Sequence, residues 1–230
     1  MIGTPKTAAA IAANRFGLGA RPGELENLAD PAGWLLDQLK GPAPVLGDPD
    51  LKPSAETLAR AIQLRREVVE KRREDKKEAA DANPAKAALK LPAVYRPIYI
   101  DEAHARFAHA VGTERPFLER LTQFWTNHFA VSIDKVVVLG LAGAFEREAI
   151  RPYVTGNFTD LLLAVEKHPA MLLYLDNQTS IGPNSRAAEV VARRSSRKLD
   201  INENLAREIL ELHTLGVNGG YTRRGWRQTG

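Results

Sequence analysis

The sequence predicts an all-α protein, an irregular multi-helix bundle with no significant sheet. Three observations predict it. Apolar residues recur at helical spacing between proline and glycine punctuation, as in Leu205, Ile209 and Leu212 at i, i+4 and i+7. No run of alternating β-branched residues occurs, and Val136 to Val138, the sole strand candidate, cannot build a sheet alone. Hydrophobic residues at 44% and charged ones at 26% match a globular average over 230 positions, enough chain to bury a core without staples.

Each element follows from local signals. Thr7 is placed to cap a first helix that runs to about Phe16, where Gly17 and Gly19 end it. Pro22 opens a short second helix with Leu25 and Leu28 inward. Pro31 starts a third, which carries Trp34, Leu35, Leu36 and Leu39 up to Gly41. Four prolines make residues 41 to 53 a loop. From Ser54 a long helix is expected, with Leu58, Ile62 and Val69 on one stripe. Beyond Val69 the chain mixes both signs of charge without an apolar face, so residues 64 to 90 are expected to hold a charged helical arm rather than a coiled-coil seam. Pro84 and Pro92 bracket a linker.

The second half reads as four helices, at about 99 to 111, 114 to 130, 139 to 151 and 159 to 175, the last interrupted at Pro169. A polar loop from Asp176 to Asp200 leads to a final helix from near Asn202 to Gly216. Residues 1 to 222 are thus expected to form one helical domain, with 223 to 230 as an atypical tail.

Composition excludes several function classes. The absence of cysteine removes disulfides, thiolate metal sites and cysteine nucleophiles. The longest apolar run, Val136 to Phe145, is half of the roughly 20 residues a spanning helix needs, so no membrane span is expected. Ala8 to Ala13 is too short for an export signal, which on residues alone points to a cytoplasmic chain. A pI near 9.4 suggests nucleic acid, but Arg223, Arg224 and Arg227 lie in the tail, and without those three the net charge of +4 falls to +1. The short run Arg193, Arg194, Arg197, Lys198 makes no basic face, so nucleic acid is not an expected partner.

Five stretches stand out together: Asn14 to Pro22, Phe124-Trp-Thr-Asn-His-Phe129, Arg147-Glu-Ala-Ile-Arg-Pro152, Leu173-Tyr-Leu-Asp-Asn177, and Asn202-Glu-Asn-Leu-Ala-Arg-Glu-Ile-Leu-Glu-Leu-His-Thr-Leu-Gly216. In this order and spacing they resemble one bacterial family, known only as domain of unknown function 1800. The resemblance runs nearly to Thr222 and implies no known activity. It implies a long helical protein, commonly near double this length and often exported. The residues after Thr222 lack a helical pattern, so this chain is expected to be the truncated N-terminal half of a longer protein, with its missing C-terminal half or another protein as partner.

Candidate chemistry concentrates in two segments. Glu102-x-His104, Glu166-x-His168 and Glu211-x-His213 each set carboxylate and imidazole about 200° apart on a helix, so no metal site is expected. No cofactor is expected either, since Gly17-x-Gly19 does not follow a strand and Gly182 to Arg186 lacks the lysine of a phosphate loop. In the final helix Asn204, Glu208 and Glu211 fall in one row at i, i+4 and i+7, with Arg207 able to pair with Glu211. Facing water, that row is an ordinary charged surface; facing another helix, its carboxylates crowd and one becomes a general acid or base.

His128 follows Trp125 and Phe124 at i+3 and i+4, which places it at the border of the core. A hydrogen-bonded structural histidine is one reading. The other has Asn127 and His128 meeting Glu208 or Glu211 across a helix interface, with Arg151, Asp176, Asn177 and Asn202 closing a polar cluster. Ser132 has only proximity to His128 in its favour as a nucleophile.

Three functions follow. A helical scaffold or protein-interaction module would use the cluster to lock helices together. A hydrolase-like enzyme would use His128 and Glu208 as acid and base. A basic surface at Arg193 to Lys198 and the tail would bind RNA or anionic lipid with strong salt dependence.

Overall fold

The computed structural model describes residues 5–78, 90–182, 185, 186, 188, 190 and 202–221. The basic run at 193–198, the tail at 223–230 and residues 79–89 of the expected charged arm lie outside the described residues. Helix accounts for 68% of what is described, in eleven α-helices with no strand, so the fold is all-α. In chain order these are α1 (Pro5–Phe16), α2 (Glu24–Asn27), α3 (Pro31–Gln38), α4 (Ser54–Glu78), α5 (Lys90–Gly112), α6 (Pro116–His128), α7 (Val136–Leu139), α8 (Ala142–Phe145), α9 (Phe158–Lys167), α10 (Pro169–Tyr174) and α11 (Asn204–Glu208). Two of them change their hydrogen-bond pattern without breaking. After α8 comes a π-turn, Glu146–Ile150, and a 3-10 turn, Arg151–Tyr153; after α11 comes a π-turn, Ile209–Thr214.

The main core is built by Phe129, Leu141, Phe145, Ile150, Leu161, Val165, Ala170 and Met171, and α8 with its π-turn runs through its middle. A smaller cluster of Ala9, Ala12 and Leu28 joins α1, α2 and α3, with Trp34 packed on it. Arginines of α6 tie the two together. Arg120 donates to the carbonyls of Gly17 and Asn14 at 2.7 and 2.8 Å, and Arg115 donates to those of Gln38 and Pro42 at 2.8 and 2.7 Å. The ends of α1 and α3 carry unpaired carbonyls and the negative pole of the helix dipole, so a guanidinium satisfies both.

Several local expectations shift. The first helix begins at Pro5, so Thr7 lies inside it rather than at its cap. Val136 to Val138 form a helical turn, with Val138 fully buried. α5 starts at Lys90, ahead of the expected 99, and continues through Pro97. Tyr95 is buried directly against Gly140, where a Cβ would meet its ring carbons at 2.4 and 2.8 Å, and this packing outweighs the lost hydrogen bond.

The inward face of α4 also differs. Ser54, Thr57, Ala61 and Leu64 are buried, while Ile62 and Val69 are about half exposed. The cause is at the helix start, where the Glu148 carboxylate accepts from the backbone N–H of Ser54 at 2.8 Å and from its hydroxyl at 2.6 Å, turning Ser54 toward the core. In the last helix Leu212 is 57% exposed and His213 takes the buried position. A π-turn closes i to i+5 and so inserts one residue per turn; Leu215 N–H reaches the carbonyl of Leu210, and the inward position after Ile209 moves from 212 to 213.

Candidate functional site

The π-turn after α8 projects charged side chains into the protein in three directions. Arg151 is completely buried. Its Nη1 and Nη2 donate to the two oxygens of Glu119 on α6 at 2.6 and 2.9 Å, and its Nε donates to Glu146 Oε1 at 3.0 Å. Burial opposes the charge, but the Glu119 and Glu146 carboxylates outweigh it and hold the guanidinium pKa above its ordinary value. Glu146 Oε2 faces the other way, toward Arg106 Nε at 2.8 Å and the Thr126 hydroxyl, which donates at 3.1 Å. His109 Nε2 lies 3.1 Å from Glu119 Oε1, close enough for attraction but not aligned for a hydrogen bond.

The two residues between point elsewhere. Arg147 Nη2 donates to Glu102 on α5 at 2.8 Å and to the carbonyl of Lys52 at 2.6 Å. Gly143 makes this pairing sterically possible, because a Cβ there would meet Glu102 Cβ at 2.3 Å. Glu148 accepts from Ser54 and from His168 Nε2 at 3.2 Å. His168 Nδ1 itself accepts from the N–H of Ala170 at 3.1 Å and caps α10, so the ring proton is on Nε2. Burial pushes the Glu148 carboxyl up, but the hydrogen bonds from His168 and Ser54 prevail and bring it down to about 2.

A second polar group joins α6 to the last helix. His128 Nε2 lies 3.2 Å from the carbonyl oxygen of His213, and that oxygen can only accept, so Nε2 donates. His213 Nδ1 lies 2.6 Å from Glu166 Oε1 of α9, both side chains being almost fully buried. Phe129 packs edge-on against the His213 ring, and Trp125 stacks on Phe129 and meets the His128 ring edge-on. The other oxygen of Glu166 is buried without a hydrogen-bond partner among the described residues.

The sequence-derived candidates therefore separate. His128 and Trp125 border the core beside His213, and the carboxylate bonded to that imidazole is Glu166. No hydrogen bond joins His128 to Glu208 or Glu211 among the described residues; both carboxylates are half-buried, and Glu211 takes Arg207 Nη2 at 3.4 Å. Asn127 and Asn204 are exposed. Arg151 belongs to the Glu119 and Glu146 network. Asn202 donates from Nδ2 to the carbonyl of Leu175 at 2.9 Å and from its backbone to Ser180 Oγ, whose hydroxyl donates to Asn177 Oδ1 at 3.0 Å. Asp176, in the left-handed region with φ of 58°, pairs with Lys135 at 2.6 Å. These last residues pin the start of the final helix to the end of α10. Ser132 is held by Asp134, to which its hydroxyl donates at 3.1 Å.

Among the described residues no group of three or more histidine, aspartate and glutamate side chains is placed to hold a metal ion, and no helix is long and apolar enough to cross a membrane. Over residues 11–225 the chain matches the family described as a protein of unknown function, DUF1800. It belongs to that family. No curated protein and no solved structure matches the chain.

In this DUF1800 chain, sequence reasoning missed the pairing of Glu119, Glu146, Arg147 and Glu148, and weighed Glu102, Glu166, His168 and His213 only as metal ligands and not as the partners they are here. One signal was present for three of them. Glu146, Arg147 and Glu148 interrupt a stretch otherwise apolar from Val136 to Ile150, and charges inside an apolar helix persist only when paired. Their partners on α5, α6 and α10 carry no such mark.

Proposed function

We propose that this DUF1800 chain is a helical scaffold, an interaction module whose charged interior fixes the relative placement of helices that a protein partner contacts. The observation that carries the reading is Arg151. A completely buried guanidinium gives its Nε, Nη1 and Nη2 donors to Glu119 and Glu146 and presents none of these bonds to solvent. Buried charge of this kind contributes geometric specificity more than net stability, since desolvation offsets much of the attraction. It couples α6 to α8 in one register.

A second reading, an acid–base enzyme of hydrolase type centred on His128 and Glu208, draws support from the pair beside it. Glu166 accepts from His213 Nδ1, and the His213 ring lies beside that of His128, 6.2 Å away between centroids.

One experiment separates the two. The purified chain is offered nitrophenyl esters and phosphates at neutral pH while hydrogen exchange is followed on the same preparation. The scaffold reading expects no turnover above buffer and the slowest exchange at the amides of Glu146 to Arg151. Turnover that disappears in His128→Ala or Glu208→Gln, with the exchange pattern intact, would overturn it in favour of the enzyme.

A further inference from the structure

Between α5, the segment after α6 and the start of α8 lies a cavity of about 240 Å³. Most of its wall is apolar, from Leu46, Phe107, Val131, Ile133 and Phe145. Five polar side chains also line it, Tyr99, Glu102, Arg106, Thr126 and Glu146. Three of these are already engaged. Glu102 accepts from Arg147; Glu146 accepts from Arg151 on one oxygen and faces Thr126 and Arg106 with the other. Tyr99 and Arg106 are the exceptions. The Tyr99 hydroxyl makes no hydrogen bond among the described residues; Arg106 Nε faces Glu146 at 2.8 Å, its two Nη nitrogens donate none, and its side chain is 36% exposed.

The unsatisfied polar capacity of the lining is therefore the Nη pair of one guanidinium and one phenol hydroxyl, beside mostly apolar walls. The Nη pair matches the two oxygens of a carboxylate, which binds such an edge through two parallel N–H···O bonds. Both lining carboxylates are already ion-paired, Glu102 with Arg147 and Glu146 with Arg151 and Arg106, which limits the repulsion that a single anion meets. An ammonium ligand would meet that guanidinium, and the lining carboxylates are already ion-paired. The volume falls just under the roughly 300–1,000 Å³ of ordinary ligand sites, which calls for a small molecule.

From this we propose that the cavity binds a small monocarboxylic acid with an apolar tail, the carboxylate on the Nη edge of Arg106 and the tail among Phe107, Val131 and Ile133. The site is independent of the scaffold reading, because it needs neither His128 nor a protein partner.

Titration calorimetry on the full chain tests it, with hexanoate and octanoate as probes and octanol and octylammonium as controls. Saturable binding of at least one acid is expected, with both controls weaker by about tenfold or more, the scale of one charge-assisted hydrogen bond. Arg106→Gln should weaken the acid by a similar factor. Ala103→Leu, which leaves Arg106 in place but fills the chamber, should abolish binding; it decides the matter alone if Arg106→Gln loses its fold by circular dichroism. Failure of both acids to bind, equal affinity for octanol, or unchanged affinity in Ala103→Leu overturns the proposal.

Discussion

The two π-turns use the same backbone device in opposite surroundings. Glu146–Ile150 is packed by α6 and α9 and continues into a 3-10 turn, and three of its five residues are buried. Ile209–Thr214 packs chiefly against its own helix, and His213 alone of its six residues is buried, while Leu212 and the following Leu215 are each 57% exposed. In both places the inserted residue re-aims the side chains that follow. In the first, charges aimed inward meet partners on three neighbouring helices; in the second, one imidazole turns inward, Ile209, Leu210 and Glu211 are half-buried, and Leu212 and Thr214 meet water. Wider spacing alone does not make a polar core. Surrounding helices with opposite charges do.

The strongest way to break that contrast is Arg151→Met, which leaves Glu119 and Glu146 buried without their principal counter-charge. A loss of about 3–5 kcal/mol is expected in urea unfolding, the range for removing one partner of a buried pair. A loss under about 1 kcal/mol would mean that the first turn is no more dependent on its charges than the second.

The next effect concerns Glu148, whose carboxyl is held at about 2 against an ordinary 4.5. A depressed folded pKa contributes stability that is fully present above 4.5 and is lost as pH falls toward about 2. Glu148→Gln should therefore cost about 1.5–3 kcal/mol near neutrality, the scale for hydrogen bonds to a charged group. The gap between variant and parent should close on acidification through that window. A gap independent of pH would remove the charge from the explanation and leave only packing.

The smallest effect is expected at the second turn. Arg207→Ala breaks an i, i+4 pair with Glu211 in which the arginine is about half exposed. Thermal unfolding should shift by no more than about 0.3–0.5 kcal/mol. A loss near that of Arg151→Met would show that the C-terminal turn is as tightly coupled as the central one.

Much of the helical layout was legible in the chain. Pro31, Pro116 and Pro169 stand at the first position of α3, α6 and α10, where the missing N–H matters least. The segment carrying Trp125 and the terminal helix were open to recognition as places of interest. What could not be read was rotation and partnership. The expected stripe of α4 is Leu58, Ile62 and Val69; Leu58 does pack on the core, yet a carboxylate 94 positions away turns the helix so that Ser54, Thr57, Ala61 and Leu64 are buried while Ile62 and Val69 are not. An ideal helix points His213 away from Glu211; that holds here, and its partner is Glu166, 47 positions earlier.

The sequence by itself determined the class of fold, the helix boundaries marked by proline and glycine, and membership of a family, because these depend on spacing within a few turns of chain. Only the tertiary structure decided which charges meet and which helix face turns inward. A π-turn shifts every later side chain by one position, and whether that shift is favourable depends on charges that approach only after the helices pack.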